Sequence, residues 1–263
     1  MIFSHSPNFL VYILYASLWL LSYPSISSAE SEIKNLLNKL DSHYYYPQKE
    51  GLTSLVADLL WEQQDTSSEQ IKFFKKPDFQ FKGKLKNHSY EKKIINSPRN
   101  SNLSGAEKTE HINVLNNYLD VFLPNTLYEK FSNYEGQIKY QPKKNLVLHL
   151  REKASTRNTK NYELFVDTKK WRITKIRIRQ KPEPISIEGN FFYTHRGGQW
   201  VVAETLSKFT FNDQTYIEKT KYTYKTLQNF WLVHKIKQTV RQGDHLIRSY
   251  RIQLNDYKVN LEN

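Results

Sequence analysis

The chain has 263 residues, 38% of them hydrophobic, with 8 Gly and 9 Pro, a make-up that excludes collagen, coiled coil, a multi-span membrane protein and full disorder. It has no Cys, which removes disulfides, thiolate metal sites, cysteine nucleophiles and a lipid-anchoring cysteine. Residues 1–133 are charge-balanced, so the whole net charge of +13 falls in residues 134–263, while 18 Tyr, 14 Phe and 5 Trp point to a β-sheet protein whose interior or binding surface is built from rings.

Residues 9–21 form an apolar run followed by Tyr23, Pro24 and the small residues of 25–29, the anatomy of an export signal. Ser27 and Ala29 would lie three and one residues before the cut, opening the mature chain at Glu30. Residues 1–8 hold no Lys or Arg, and an uncleaved anchor is the alternative, although the run is shorter than the roughly 20 residues a membrane span needs. Export without cysteine suits a periplasm, so the expectation is a periplasmic protein with a signal peptide at 1–29 and a single domain at 30–263.

Next, Ser31 stands as N-cap to a helix with Ile33, Leu36, Leu37 and Leu40 on one stripe, ending near Ser42. The Tyr44-Tyr45-Tyr46-Pro47 segment cannot carry that helix into proline. Residues 52–61 fit a long strand or a helix. Phe79, Phe81 and Leu85 alternate with Gln80, Lys82, Lys84 and Lys86, predicting a half-buried strand with Gly83 on its apolar face. Residues 87–108 read as a flexible polar excursion. Residues 111–132 read as a helical lid broken or kinked at Pro124, with Leu115, Leu119, Phe122 and Leu123 on its apolar side. From Tyr134 onward the period becomes two, predicting a meander of about eight strands with turns at 142–145, 167–170, 188–190, 196–198, 212–214, 227–230 and 242–244. Sheets twist, so so long a meander must curve, and the two amphipathic helices are its available cover.

Arg172, Lys175, Arg177, Arg179 and Lys181 fall at near-alternate positions, and the last four project from one face of a strand. Such a stripe serves either as a solvated face or as a surface for an anionic headgroup, an anionic membrane or an envelope partner. Nucleic acid is not expected, because no reader motif accompanies the charge. Chemistry is sparse. No two histidines stand at i, i+4, so no metal is expected, and GxSxG, GxGxxG and P-loop motifs are missing. Asp167, His195 and Ser207 are the one hydrolytic combination that distance in sequence leaves open. The expectation is a non-enzymatic monomer without a cofactor.

A signal, a short first helix, long antiparallel strands, a helix inserted between early and late strands and a final meander resemble the LolA-like superfamily of periplasmic lipoprotein and lipid carriers. The resemblance rests on that order, on Leu36-Leu37 through Gly51-Leu52, and on the hairpin from Tyr162 to Val166 and Trp171 to Ile178 around Asp167. It implies an α+β fold, mainly antiparallel β, built as a strongly curved half-open β-barrel with short helices covering its mouth and acyl chains in its cavity. Independently, Phe79, Phe81, Trp171, Phe191, Tyr193, Trp200, Tyr222 and Tyr224 present more ring surface than two short helices seal, so they either line a cavity or pack as core. The expected ligand is a lipid or an acylated protein. The alternative is an envelope scaffold docking an acidic partner through the basic half.

Overall fold

The structure of the protein, a computed structural model, describes residues 26–64, 71–73, 79–96, 104–142, 145–153, 160–181 and 184–261. Most of the expected signal, and 97–103 of the expected excursion, lie outside the described residues. Helix α1 (Ile26–Asp41) is followed by a single 3-10 turn (Pro47–Glu50) and by strands β1 (Leu52–Gln64), β2 (Ile71–Phe73), β3 (Phe79–Lys86) and β4 (Ser89–Asn96). Helices α2 (Gly105–Asn116), α3 (Leu119–Phe122) and α4 (Leu127–Lys130) come next. The chain then runs through β5 (Tyr134–Gln141), β6 (Asn145–Glu152), β7 (Asn161–Asp167), β8 (Arg172–Arg179) and β9 (Ser186–Arg196). It ends with β10 (Gln199–Phe211), β11 (Gln214–Leu227), β12 (Phe230–Gln242) and β13 (His245–Leu261).

All strands join one antiparallel sheet in the order β4-β3-β1-β13-β12-β11-β10-β9-β8-β7-β6-β5, with β2 beside β1. Only the first long strand departs from sequence order: β1 pairs with the last strand, Leu52 opposite Leu261, which places the N-terminal hairpins on the flank of the meander. β4 and β5 are free edges, so the barrel stays open. Turn chemistry fixes the register of the hairpins. Asn87-His88, Gly197-Gly198 and Asn212-Asp213 each take positive φ at both positions, the two-residue geometry whose twist matches that of the strands it joins.

Several expectations change in detail. α1 begins at Ile26, so Ser31 lies inside the helix instead of capping it, and the helix runs through the expected cut after Ala29. The stretch read as a polar excursion contains the second strand of a hairpin, β4, whose Tyr90 and Ile94 are buried, and the start of α2. Lysines and asparagines around those two side chains hid the alternation. The lid is three helices, separated at Asn117-Tyr118 as well as around Pro124. Glu188-Gly189-Asn190 is not a turn but lies within β9, because Gly189 faces Ile176 across the ladder, where a side chain would crowd it. Residues 52–61 are strand.

The concave side carries two separate cores. One joins α2, α3 and their flanks to β1, β3, β4, β12 and β13 through Leu55, Leu59, Trp61, Phe81, Phe122 and Ile252. The other seats Ile33, Leu36, Leu37 and Leu40 of α1 on Leu146, Leu148, Leu164 and Val166 of β6 and β7. The middle of the sheet, β8 to β11, is shared between them: Ile173, Ile176 and Phe191 go with the second core, and Tyr222 and Tyr224 pack against the first.

Candidate functional site

The middle of the sheet is frayed at one end. β8 and β9 pair only from Lys175 opposite Asn190 to Arg179 opposite Ser186, and β10 and β11 only from Glu204 opposite Lys221 to the turn. Among the described residues, the tip of the β9–β10 hairpin is therefore paired with itself and with neither neighbouring strand. β12 and β13 part in the same way beyond Lys235 opposite Gln253. Twist accumulates over so many strands, and straight ladders cannot absorb all of it, so a sheet of this breadth parts at seams.

Buried backbone groups left at a seam need partners, and tyrosines supply them. Tyr224 Oη donates to the Val202 carbonyl at 2.9 Å, and Tyr257 Oη to that of Val233 at 2.9 Å. At the β8/β9 seam the Ile173 N–H donates to Tyr44 Oη at 2.7 Å and Tyr193 Oη donates to the Ile173 carbonyl at 2.6 Å. The two hydroxyls are 3.1 Å apart; with the Tyr193 proton already committed, Tyr44 is the donor between them. One residue's N–H and C=O are thus both satisfied by a two-phenol bridge. Burial raises the Tyr44 phenol to about 12 and that of Tyr193 well above its ordinary value, so both stay protonated.

Tyr44 belongs to the segment between α1 and β1, which is threaded into the β10/β11 seam as a strap. The Trp200 N–H donates to the His43 carbonyl at 2.8 Å and the Trp200 carbonyl accepts from Tyr45 N–H at 3.0 Å. Tyr45 Oη accepts from the Trp231 N–H at 2.9 Å. Asp41 anchors the strap: its buried carboxylate accepts from Tyr46 Oη at 2.5 Å and from the first amides of α4, Leu127 at 2.8 Å and Tyr128 at 2.9 Å. That bond set ties α1, the strap and α4 together.

Strap, sheet and helices line a half-open apolar cavity of about 290 Å³. Phe191, Tyr193, Trp200, Val202, Tyr222 and Tyr224 form its sheet side, Ile173 and Ile176 one flank, Trp231 and Val233 the other, and Tyr44 to Pro47 with Val121, Phe122 and Leu127 its cover. Five of the eight rings expected at a binding surface, Phe191, Tyr193, Trp200, Tyr222 and Tyr224, meet here. Phe79 and Phe81 do not line it. They are fully buried, with Phe81 edge-on to Phe122 at 5.2 Å and Gly83 leaving room for Leu123. Trp171 stands apart at a turn with φ 48°, beneath the Lys39 ammonium at 3.8 Å. Of the expected lid residues only Phe122 reaches the cavity; Leu115 and Leu123 are core and Leu119 packs against it. Tyr44, Tyr45, Tyr46 and Trp231 were missed, and the one signal for the first three was a run of rings after a helix stop.

The basic stripe is largely neutralised. Lys175 pairs with Glu188 at 2.5 Å, Arg177 with Glu163 at 2.7 Å and Glu188 at 3.2 Å, and Arg179 reaches Glu163 at 3.9 Å; Lys181 lies past the strand. Arg172 differs, lying over the rings of Tyr193 and Trp200 at 5.7 and 5.0 Å from their centroids. Asp167, His195 and Ser207 are not brought together. His195 faces Trp200 while Ser207 faces Gly189, seven residues along β10 and roughly 23 Å away at strand rise. Asp167 instead caps its turn, accepting from Lys169 N–H at 3.0 Å. No cluster of three metal-ligating side chains occurs among the described residues.

No protein-family model matches the sequence, and no curated protein does. Among solved structures the chain is similar to a LolA superfamily protein from Nitrosomonas europaea, with 10% identity over 89% of this chain and 94% of that one and a TM-score of 0.35. A DUF1329 family protein from Desulfovibrio piger is similar at 8% identity, over 88% and 92% of the two chains, with a TM-score of 0.34. The MucA/MucB complex of Pseudomonas aeruginosa contains a chain similar at 7% identity, over 88% and 100%, with a TM-score of 0.20.

Proposed function

We propose that the protein is an exported, non-catalytic carrier or binding protein that holds the acyl part of a lipid or acylated protein in the cavity beneath the Tyr44-Tyr45-Tyr46 strap. The observation that carries this reading is the cavity itself: an apolar chamber walled by rings, at the middle of the sheet where the two cores meet it from either side. Each methylene taken from water gains about 0.8 kcal/mol, so about eight of them gain ~6 kcal/mol toward the cost of ordering a flexible chain. The strap and the hairpin tip that border the cavity are held by a few hydrogen bonds rather than by continuous ladders, so both can shift to admit a chain. Removal of residues 1–29 would leave the α1 stripe of Ile33, Leu36, Leu37 and Leu40 whole. The competing reading, a scaffold docking through its basic stripe, is weakened by the pairing of Lys175 and Arg177 with Glu163 and Glu188.

Native mass spectrometry of residues 30–263, purified from an envelope fraction without detergent, tests the proposal together with mass analysis of an organic extract. A discrete added mass that leaves with the extract is expected. A bare chain that stays bare after incubation with envelope lipids would overturn it.

A further inference from the structure

Two arginines, outside the cavity lining but packed on rings that belong to it, share an unusual environment. Arg172 lies over Trp200 and Tyr193, and Arg196 over Trp231 with 5.0 Å to the ring centroid; all three rings line the chamber. The Nε of each is buried and has no hydrogen-bond partner, and neither guanidinium pairs with a carboxylate among the described residues. Arg196 does spend one Nη1 donor on the His195 carbonyl at 2.8 Å. The other cations of β8 behave differently, being matched to Glu163 and Glu188. Both arginines also sit where the sheet has parted. Arg172 opens β8 before its ladder with β9 begins at Lys175, and Arg196 ends β9 at the unsupported hairpin tip.

Resting on the acyl reading of the cavity, we propose that Arg172 and Arg196 form an anion subsite, so that the ligand is an anionic amphiphile whose carboxylate or phosphate oxygens meet the guanidinium groups while its chain occupies the chamber. A guanidinium on an aromatic face keeps its in-plane N–H edge available, and that fork matches two oxygens of a carboxylate or phosphate. A buried donor without a partner is unfavourable, and an anion delivered to it restores the missing bond. A neutral acyl glyceride would leave both arginines as they are. The subsite therefore selects for charge at one end of the ligand, where the cavity by itself selects only for apolar shape.

The test titrates residues 30–263 with dodecanoate, dodecyl phosphate and 1-dodecanol, which share a chain and differ at the head. At least one anion is expected to bind tenfold or more tightly than the alcohol, and which one does so separates a fatty-acid carboxylate from a phosphate headgroup. The double variant Arg172→Gln, Arg196→Gln is expected to bring the anions to the alcohol's affinity while leaving the alcohol unchanged. Equal binding of all three by the unaltered protein overturns the anion subsite and leaves the acyl cavity standing. Failure of all three to bind overturns both. Equal losses for all three ligands in the double variant would reduce the arginines to packing and overturn the subsite, whereas the preference of the unaltered protein is read without any variant.

Discussion

Two regions of the sheet present rings to the same concave side with opposite results. On the β1–β3 flank, Phe79, Phe81 and Trp61 are sealed by α2 and α3, with Leu123 pressed so close to Gly83 that an added Cβ would fall 2.5 Å from it. In the middle of the sheet, at β9–β11, Phe191, Tyr193 and Trp200 meet a strap of three tyrosines, and a cavity remains. Inward alternation is common to both. The difference is the cover: a helix brings a row of aliphatic side chains that interdigitate, whereas a strap bound through hydroxyls holds its rings at hydrogen-bonding distance from backbone groups and leaves the space between them unfilled.

Replacing one ring in each region measures that difference. Phe81→Ala should cost about 3–5 kcal/mol of unfolding free energy in a denaturant titration, and Trp200→Ala no more than about 2 kcal/mol, since its ring already borders space. Equal losses would mean that the chamber is packed as tightly as the core. Asp41→Ala attacks the strap's anchor, leaving Tyr46 Oη and two α4 amides without their acceptor. A loss of about 2–4 kcal/mol is expected, with protease cleavage concentrated in the strap, and cleavage elsewhere would contradict its role. Tyr44→Phe removes only the hydroxyl that accepts the Ile173 N–H and should cost about 1–2 kcal/mol. Amide exchange at Ile173 should rise with it, and an unchanged rate there would break the seam account.

The smallest effect concerns pH. Glu218, near Thr220 and Gln238 in a groove beside Tyr118, has its carboxyl raised above the ordinary 4.5 by burial. The folded state then holds that proton more tightly than the unfolded one, so its contribution is present below pH 4.5 and is lost as pH rises through the raised value. Glu218→Gln should flatten this decline in a series of melts from pH 4 upward. A variant that keeps the same slope would assign the decline to another group.

The alternation of Phe79 and Phe81, the stripe of Ile33, Leu36, Leu37 and Leu40, and the turn pairs Gly197-Gly198 and Asn212-Asp213 were legible because each is a local pattern that one element enforces. Five cavity rings were legible for the same reason, as inward positions of regular strands. Trp171 was misplaced because its left-handed φ at a turn breaks the alternation that a strand would have given it. Tyr44, Tyr45 and Tyr46 carried no periodicity at all, and the partners of Tyr44 and Tyr45 at Ile173, Trp200 and Trp231 are more than a hundred residues away.

From the sequence alone come the antiparallel class, the helix stripe, the hairpin turns and the wealth of rings, since these follow from period, turn chemistry and composition. Only the tertiary structure decided that β1 closes onto β13, that the ladders part at three seams, and that hydroxyls of distant tyrosines mend them. The reason is physical: strand twist is a property of the whole sheet, accumulating from strand to strand, so no single segment records where the hydrogen bonding gives way and a cavity is left.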